Sequence, residues 1–178
     1  SMRIYAMVSA TDENLKYLEK IGPYKTPYLS VRSIKIYADG ALGSRGALLK
    51  QPYSDQPMHR GSFNTSPEVM QRYAQWAGQH QFQVNTHAIG DSGNAMVLKI
   101  YAGVLKGKND LRWRIEHAQV VDPADWHFFG EYSILPSVQP THATSDMYWA
   151  EKRLGAERMP GAYAYESLRK QNGWLPLG

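Results

Sequence analysis

The chain has 178 residues and a mass of 20.2 kDa, with 43% hydrophobic residues, 20% charged residues and a formal net charge of +4. This length and composition predict one globular domain. The lack of cysteine excludes disulfides and thiolate metal sites, so a transition metal would need His, carboxylate or modified Lys ligands. Dispersed basic residues argue against a nucleic-acid partner, and no apolar run approaches the roughly 18 residues of a membrane span.

The hydrophobic pattern alternates between strands and helices. Strands are predicted at 3–9, 33–38, 82–86, 113–116 and 133–139, with the start of a sixth at 174–178. Helices are predicted over 12–21, from Pro67 after a Ser66 cap, over 96–105, after Asp122-Pro123 and over 162–170. This alternation predicts an α/β fold with a parallel sheet and right-handed crossovers. The polar segment 50–64 is long enough to indicate a functional loop.

Two histidines occupy equivalent places in successive β–α units. His87 follows the third predicted strand, and His117 follows the fourth, one unit of roughly thirty residues later. Neighbouring parallel strands end at the same edge of a sheet, which is the catalytic face of a (β/α) barrel. A single histidine at such a place is more often structural, but the repetition favours a shared site.

Three further residues are candidates for the same site. Lys35 lies in an otherwise apolar strand, where an inward-facing lysine must be paired, modified or desolvated; the alternative is that it faces solvent from an edge strand. His142 follows the next strand and is predicted to contact substrate or to line the pocket. Arg45, in a glycine-rich loop, either binds an anionic or carbonyl group of the substrate or forms a salt bridge within its loop.

The other polar candidates have simpler interpretations. Asp39 and Asp91 either orient a ligand or cap a helix, and capping is the expected role of Asp91. His59, His80 and His127 lie in loop or helix contexts and are predicted to be surface residues.

Four segments, in this order along nearly the whole chain, resemble the amidohydrolase superfamily. They are 34–45 (IKIYADGALGSR), 85–91 (NTHAIGD), 114–119 (RIEHAQ) and 139–147 (QPTHATSDM). The branch they resemble most is amidohydrolase family 3, which includes N-substituted formamide deformylases. The resemblance implies a metal-dependent TIM (β/α)8 barrel in which Lys35 ends strand four, His87 strand five and His117 strand six.

The resemblance also implies a metal site and a reaction. In dinuclear members the lysine at the position of Lys35 is carboxylated and bridges two metals, and histidines at the positions of His87 and His117 bind the second metal. The implied cofactor is one or two divalent ions, zinc first. The implied reaction is hydrolysis of a non-peptide C–N bond in a small-molecule amide or formamide by metal-activated water. Ester or phosphoester hydrolysis stays open.

Two family features are missing. Family members have a His-x-His pair after strand one and an aspartate after strand eight, and this chain has no His-x-His and ends where the aspartate is expected. We therefore expect residues 1–178 to form a partial barrel, about strands three to eight, that is inactive by itself, has an unmodified Lys35 and forms homo-oligomers through open sheet edges. The alternative function is a small-molecule-binding or assembly module. A cytoplasmic location is expected, with a periplasmic one left open.

Overall fold

A single sheet organises the fold in the computed structural model, which describes residues 2–178. Parallel strands run in the order β1-β3-β4-β5-β6, and a short β2 pairs antiparallel with β3. The strand bounds are β1 (Ile4–Ser9), β2 (Tyr24–Lys25), β3 (Leu29–Tyr37), β4 (Gln83–Ala88), β5 (Arg114–His117) and β6 (Leu135–Ser137).

Helices lie between and after these strands, and α1 and α2 begin at residues whose side chains cap them. Their bounds are α1 (Asp12–Ile21), α2 (Pro67–His80), α3 (Asp91–Leu105), α4 (His127–Glu131), α5 (Thr141–Asp146), α6 (Ala150–Leu154) and α7 (Tyr165–Asn172). The Ser66 hydroxyl accepts from the Val69 N–H before α2, and that helix ends at Gln81 in the left-handed conformation. Over residues 2–178, no helix has both the length and the apolar character needed to cross a membrane.

The helices cover one face of the sheet. Ile34, Ile36, Val84 and Ile115 are at most 3% exposed and join the core that the helices contribute to. Because strand residues alternate between faces, their polar neighbours lie on the opposite face. This arrangement is part of a (β/α)8 barrel, so the predicted fold class is confirmed.

The long connection between β3 and α2 has a core of its own. Leu42, Leu49 and Tyr53 are fully buried and pack with Ile89 and Leu154 near the carboxyl ends of the strands. The Tyr53 hydroxyl also donates to the Ala47 carbonyl at 2.7 Å. Within the predicted functional loop, 50–64, Tyr53 is buried and most other residues are exposed or partly exposed, and its function stays a prediction.

The predicted elements after β5 needed the most correction. The helix expected after Asp122-Pro123 is a 3-10 turn, Pro123–Asp125, followed by the short α4, and the last helix begins at Tyr165 rather than at 162. The fifth parallel strand is only three residues long, and the sixth is reduced to a parallel bridge between Val138 and Leu177. Neither β2 nor the pair α5 and α6 was predicted.

We predict opposite effects of alanine at two glycines of the α3 segment. A Cβ on Gly90, the N-cap of α3, would lie 2.1 Å from the Leu48 carbonyl oxygen, whereas a Cβ on Gly103 meets no described atom within 4 Å. Gly90→Ala should lower the free energy of unfolding by about 1–3 kcal/mol through overpacking. Gly103→Ala should raise it by about 0.5–1 kcal/mol through helix propensity. Urea unfolding of both variants measures this, and equal effects would contradict the described loop packing.

Candidate metal centre

The strand register brings the two predicted histidines together. Tyr37 of β3 is paired with His87 of β4, and Ala88 is paired with His117 of β5. The His87 and His117 ring centroids are 4.6 Å apart. The spacing of the two β–α units therefore translates into side-chain contact.

His117 reaches this position through its backbone conformation. Ile115 faces the helices, and strict alternation would direct His117 to the same side. The φ angles of His117 and Ala118 are +75° and +43°, so the chain leaves the strand conformation there. Such angles are unfavourable for residues with a Cβ and are concentrated at functional sites. The turn places the His117 ring against His87.

Lys35 lies on the face opposite the helices, half-buried between Ile34 and Ile36, which face the core. Since β3 is paired with β1 on one side and β4 on the other, the edge-strand alternative is wrong. The Lys35 Nζ lies 5.0 Å from the Tyr37 ring centroid.

Burial lowers the pKa of Lys35, the Glu116 charge raises it and the Arg114 charge lowers it. A lowered pKa favours the neutral amine, which is the form that reacts with carbon dioxide.

Sequence reasoning missed a polar layer beside Lys35. The Arg114 Nε lies 3.1 Å from Glu116 Oε1 and donates to Asn85 Oδ1 at 3.2 Å, and the guanidinium lies over the Tyr5 ring. Arg114 and Glu116 alternate with the buried Ile115, so the period-two pattern of residues 114–116 was the available signal.

Both histidines are held in the neutral form. Burial lowers the pKa of His117 to about 4, with further lowering by the charges of His87, His142 and Lys35. Burial and the Lys35 charge lower the pKa of His87, and a hydrogen bond with the Gly40 backbone raises it. Neutral imidazole is the form that binds metal ions.

The two predicted substrate-binding residues are in different situations. His142 lies on α5 with its ring centroid 5.7 Å from that of His117, so it adjoins the histidine pair. Arg45 forms two hydrogen bonds with Asp55, at 3.0 and 2.8 Å, and Arg153 contacts the same carboxylate. The loop salt bridge left open for Arg45 is present, and the substrate roles of both residues stay predictions.

Asp91 does not cap α3, so that prediction was wrong. The N-cap is Gly90, which has no side chain, and Asp91 is the first residue of the helix. Its carboxylate accepts from the Lys50 backbone N–H at 2.8 Å, because the packed loop lies over this helix end. Of the predicted surface histidines, His59 and His127 are exposed and His80 is partly buried.

The donors present fit part of a divalent-metal site. Within residues 2–178, no group of three or more His, Cys, Asp or Glu side chains is arranged to hold a metal ion. His87 and His117 nevertheless supply two adjacent neutral imidazoles, and Nδ1 of His117 is buried without a hydrogen-bond partner among the described residues. Lys35 would add an oxygen ligand once its Nζ is carboxylated.

Comparisons with known proteins show the family of this chain. The Amidohydrolase family profile matches residues 2–178, and the chain belongs to that family. It is 38% identical over 160 residues to LONG AFTER FAR-RED 3 of Arabidopsis thaliana, covering 88% of this chain and 27% of that protein. It is 36% identical over 150 residues to YtcJ of Bacillus subtilis (strain 168), covering 84% of this chain and 28% of that protein.

A solved structure shows the same fold. An uncharacterized metal-dependent hydrolase from Pyrococcus horikoshii OT3 aligns with a TM-score of 0.87 and 32% identity, over 100% of this chain and 35% of that one. The chain therefore spans about a quarter to a third of the length of these relatives.

We predict an acid-dependent stability contribution from Asp55. Hydrogen bonding to Arg45 is the main cause that lowers the pKa of Asp55 from 3.8 to about 2 in the folded protein. Because the folded pKa is depressed, this contribution is present above pH 3.8 and is lost as the pH falls towards 2. At pH 6, Asp55→Asn should lower the free energy of unfolding by about 1–2 kcal/mol.

Urea unfolding of wild type and Asp55→Asn across this pH range measures the difference between their free energies of unfolding. The other carboxylates are the same in both proteins, so this difference reports on Asp55 alone. Glu166→Gln is a matched control, since Glu166 pairs with Arg169 only three residues away on the surface of α7. A difference that does not shrink on acidification would contradict the ion-pair account.

Proposed function

We propose that this chain is the part of a metal-dependent amidohydrolase that supplies the ligands of one metal position, and that the enzyme hydrolyses the C–N bond of an amide or N-substituted formamide. The observation that supports this most is the contact between two neutral, partly buried imidazoles at the carboxyl ends of adjacent parallel strands. Membership of the Amidohydrolase family supports the reaction class. The name of the Pyrococcus horikoshii relative supports metal dependence.

The residues of the proposed site have distinct tasks. His87, His117 and a carboxylated Lys35 would hold the ion, for which zinc is our first candidate because nitrogen and oxygen donors suit it. When bound, such an ion lowers the pKa of water towards neutrality and polarises a carbonyl oxygen. The packed strands fix the two imidazoles before any ion binds, so little ordering of these side chains remains to be done.

His142 is the residue we assign to substrate contact. It lies at the open side of the histidine pair on α5, and its ring is only partly buried. From this place an imidazole can hydrogen-bond a substrate carbonyl or amide without being a third ligand. The role of Arg45 is proposed to be indirect, since its guanidinium is bound to Asp55 and thereby holds the loop that follows β3.

The proposal predicts that each histidine is needed for both metal and activity. In the longest natural protein that contains this chain, His87→Ala and His117→Ala should lower metal content and reduce formamide hydrolysis by more than about a hundredfold. His127→Ala, at an exposed position on α4, is the matched control and should leave both unchanged. Elemental analysis and assays on amide, formamide, ester and phosphoester substrates provide the readouts. Normal metal content with full activity in His117→Ala would refute the site, and turnover confined to esters or phosphoesters would refute the bond class.

The proposed carbamate makes a separate prediction. Lys35→Ala should lose activity as strongly as the histidine variants, and millimolar formate or acetate should restore part of it by supplying the missing carboxylate. His87→Ala is the control, because a small acid does not replace an imidazole. Dependence of the wild-type activity on bicarbonate after exhaustive decarbonation gives a second readout. Full activity of Lys35→Ala without added acid would contradict this role.

A further inference from the structure

Asp39 is a buried carboxylate whose role sequence reasoning left open. It lies just after β3, is fully buried, and its carboxylate accepts three backbone hydrogen bonds. Oδ1 accepts from the Ile89 N–H at 2.9 Å, and Oδ2 accepts from the N–H groups of Leu48 and Gly90 at 2.8 and 2.9 Å. The carboxylate thus joins the loop after β3 to the turn between β4 and α3.

The same carboxylate faces the ring of His87. Asp39 Oδ1 lies 3.7 Å from His87 Nε2, the nitrogen that is buried without a hydrogen-bond partner in the described chain. Oδ1 accepts one backbone bond where Oδ2 accepts two, so Oδ1 is the oxygen with more acceptor capacity left. This separation of 3.7 Å is longer than the usual hydrogen-bond limit of about 3.2 Å. A small side-chain shift would bring the two atoms within hydrogen-bond distance.

We propose that Asp39 is a positioning residue for His87: its carboxylate holds the imidazole in the tautomer protonated at Nε2, so that Nδ1 keeps the lone pair that a ligand or metal can use. A neutral imidazole has one N–H, and a carboxylate next to one nitrogen places the proton there. The Gly40 backbone, which raises the pKa of His87, is the competing partner of the ring. The identity of the ligand that binds this lone pair rests on the proposed function. The tautomer of His87 is independent of that function.

The surroundings of Asp39 keep its carboxylate in place. A Cβ on Gly93 would lie 2.6 Å from Oδ2, so the first turn of α3 approaches the carboxylate closely. The Asn64 amide donates to the Asp39 backbone carbonyl at 2.8 Å. Because Ile89 lies two residues after His87, the backbone bond to Oδ1 and the contact with the ring act on one short turn. The acceptor is therefore preorganised relative to the imidazole.

The wild-type chain tests the proposal directly. Burial raises the pKa of Asp39 to about 6, so the spectra are recorded at about pH 8, where the carboxylate is ionised. Long-range ¹H–¹⁵N correlation spectra of the metal-free 178-residue protein with ¹⁵N-labelled histidine report the tautomer of each ring, and the His87→Gln spectrum assigns the His87 signals. We expect His87 to be protonated at Nε2. Protonation at Nδ1, or an even mixture of tautomers, would overturn the proposal. Because this experiment measures no activity, its result can be interpreted even if the protein proves not to hydrolyse amides.

Asp39→Asn provides the matched variant. Its single carbonyl oxygen is expected at the Oδ2 position, where two N–H groups converge, which places the amide NH₂ at the Oδ1 position facing Nε2. The His87 tautomer should then reverse to Nδ1–H. Asn64→Ala removes a hydrogen bond to the Asp39 backbone but leaves the carboxylate, so the tautomer should stay unchanged. An unchanged tautomer in folded Asp39→Asn would show that Asp39 only anchors the backbone; if that variant does not fold, the wild-type spectrum decides.

Discussion

The parallel, in-register pairing of β3, β4 and β5 is the constraint on which the site depends. Each of these strands buries aliphatic side chains against the helices, and a shift by one residue would turn Ile34, Val84 and Ile115 away from the core. The hydrophobic effect therefore fixes the register, and the register fixes which residues lie at the carboxyl ends. This register and the turned backbone at His117 together bring the His87 and His117 rings into contact.

The site is polar where the fold is otherwise apolar, and this has an energetic cost. Buried atoms without hydrogen-bond partners among residues 2–178 include His87 Nε2 and His117 Nδ1, and an unsatisfied buried polar group costs about 1–3 kcal/mol. The packed loop after β3 and its anchor at Asp39 offset part of this cost by satisfying the first N–H groups of the α3 segment. Such local violations are expected at functional sites, where a buried nitrogen such as His117 Nδ1 stays free for a ligand.

The sequence predicted the parts of this structure that repeat. The β–α rhythm, the bounds of α1 and the equivalence of His87 and His117 follow from periodicity and capping signals that act over a few residues. The segment after β5 was predicted less well, because its short helices are stabilised by tertiary contacts such as the Asp146 carboxylate accepting from Tyr163 at 2.8 Å. The role of Asp91 was misassigned because the Lys50 N–H that it binds is 41 residues away in the chain. The turned backbone at His117 likewise has no local sequence signal.

Crystallography with anomalous scattering at the zinc absorption edge tests the central claim most directly, namely that Lys35, His87 and His117 define a metal position. Crystals of the longest natural protein containing this chain would be grown with zinc, and data collected above and below the edge. The account predicts an anomalous peak in contact with one nitrogen each of His87 and His117, with continuous electron density from the Lys35 Nζ to a carboxylate group. A zinc peak bound to other residues, with the His87 and His117 rings free of metal, would contradict it.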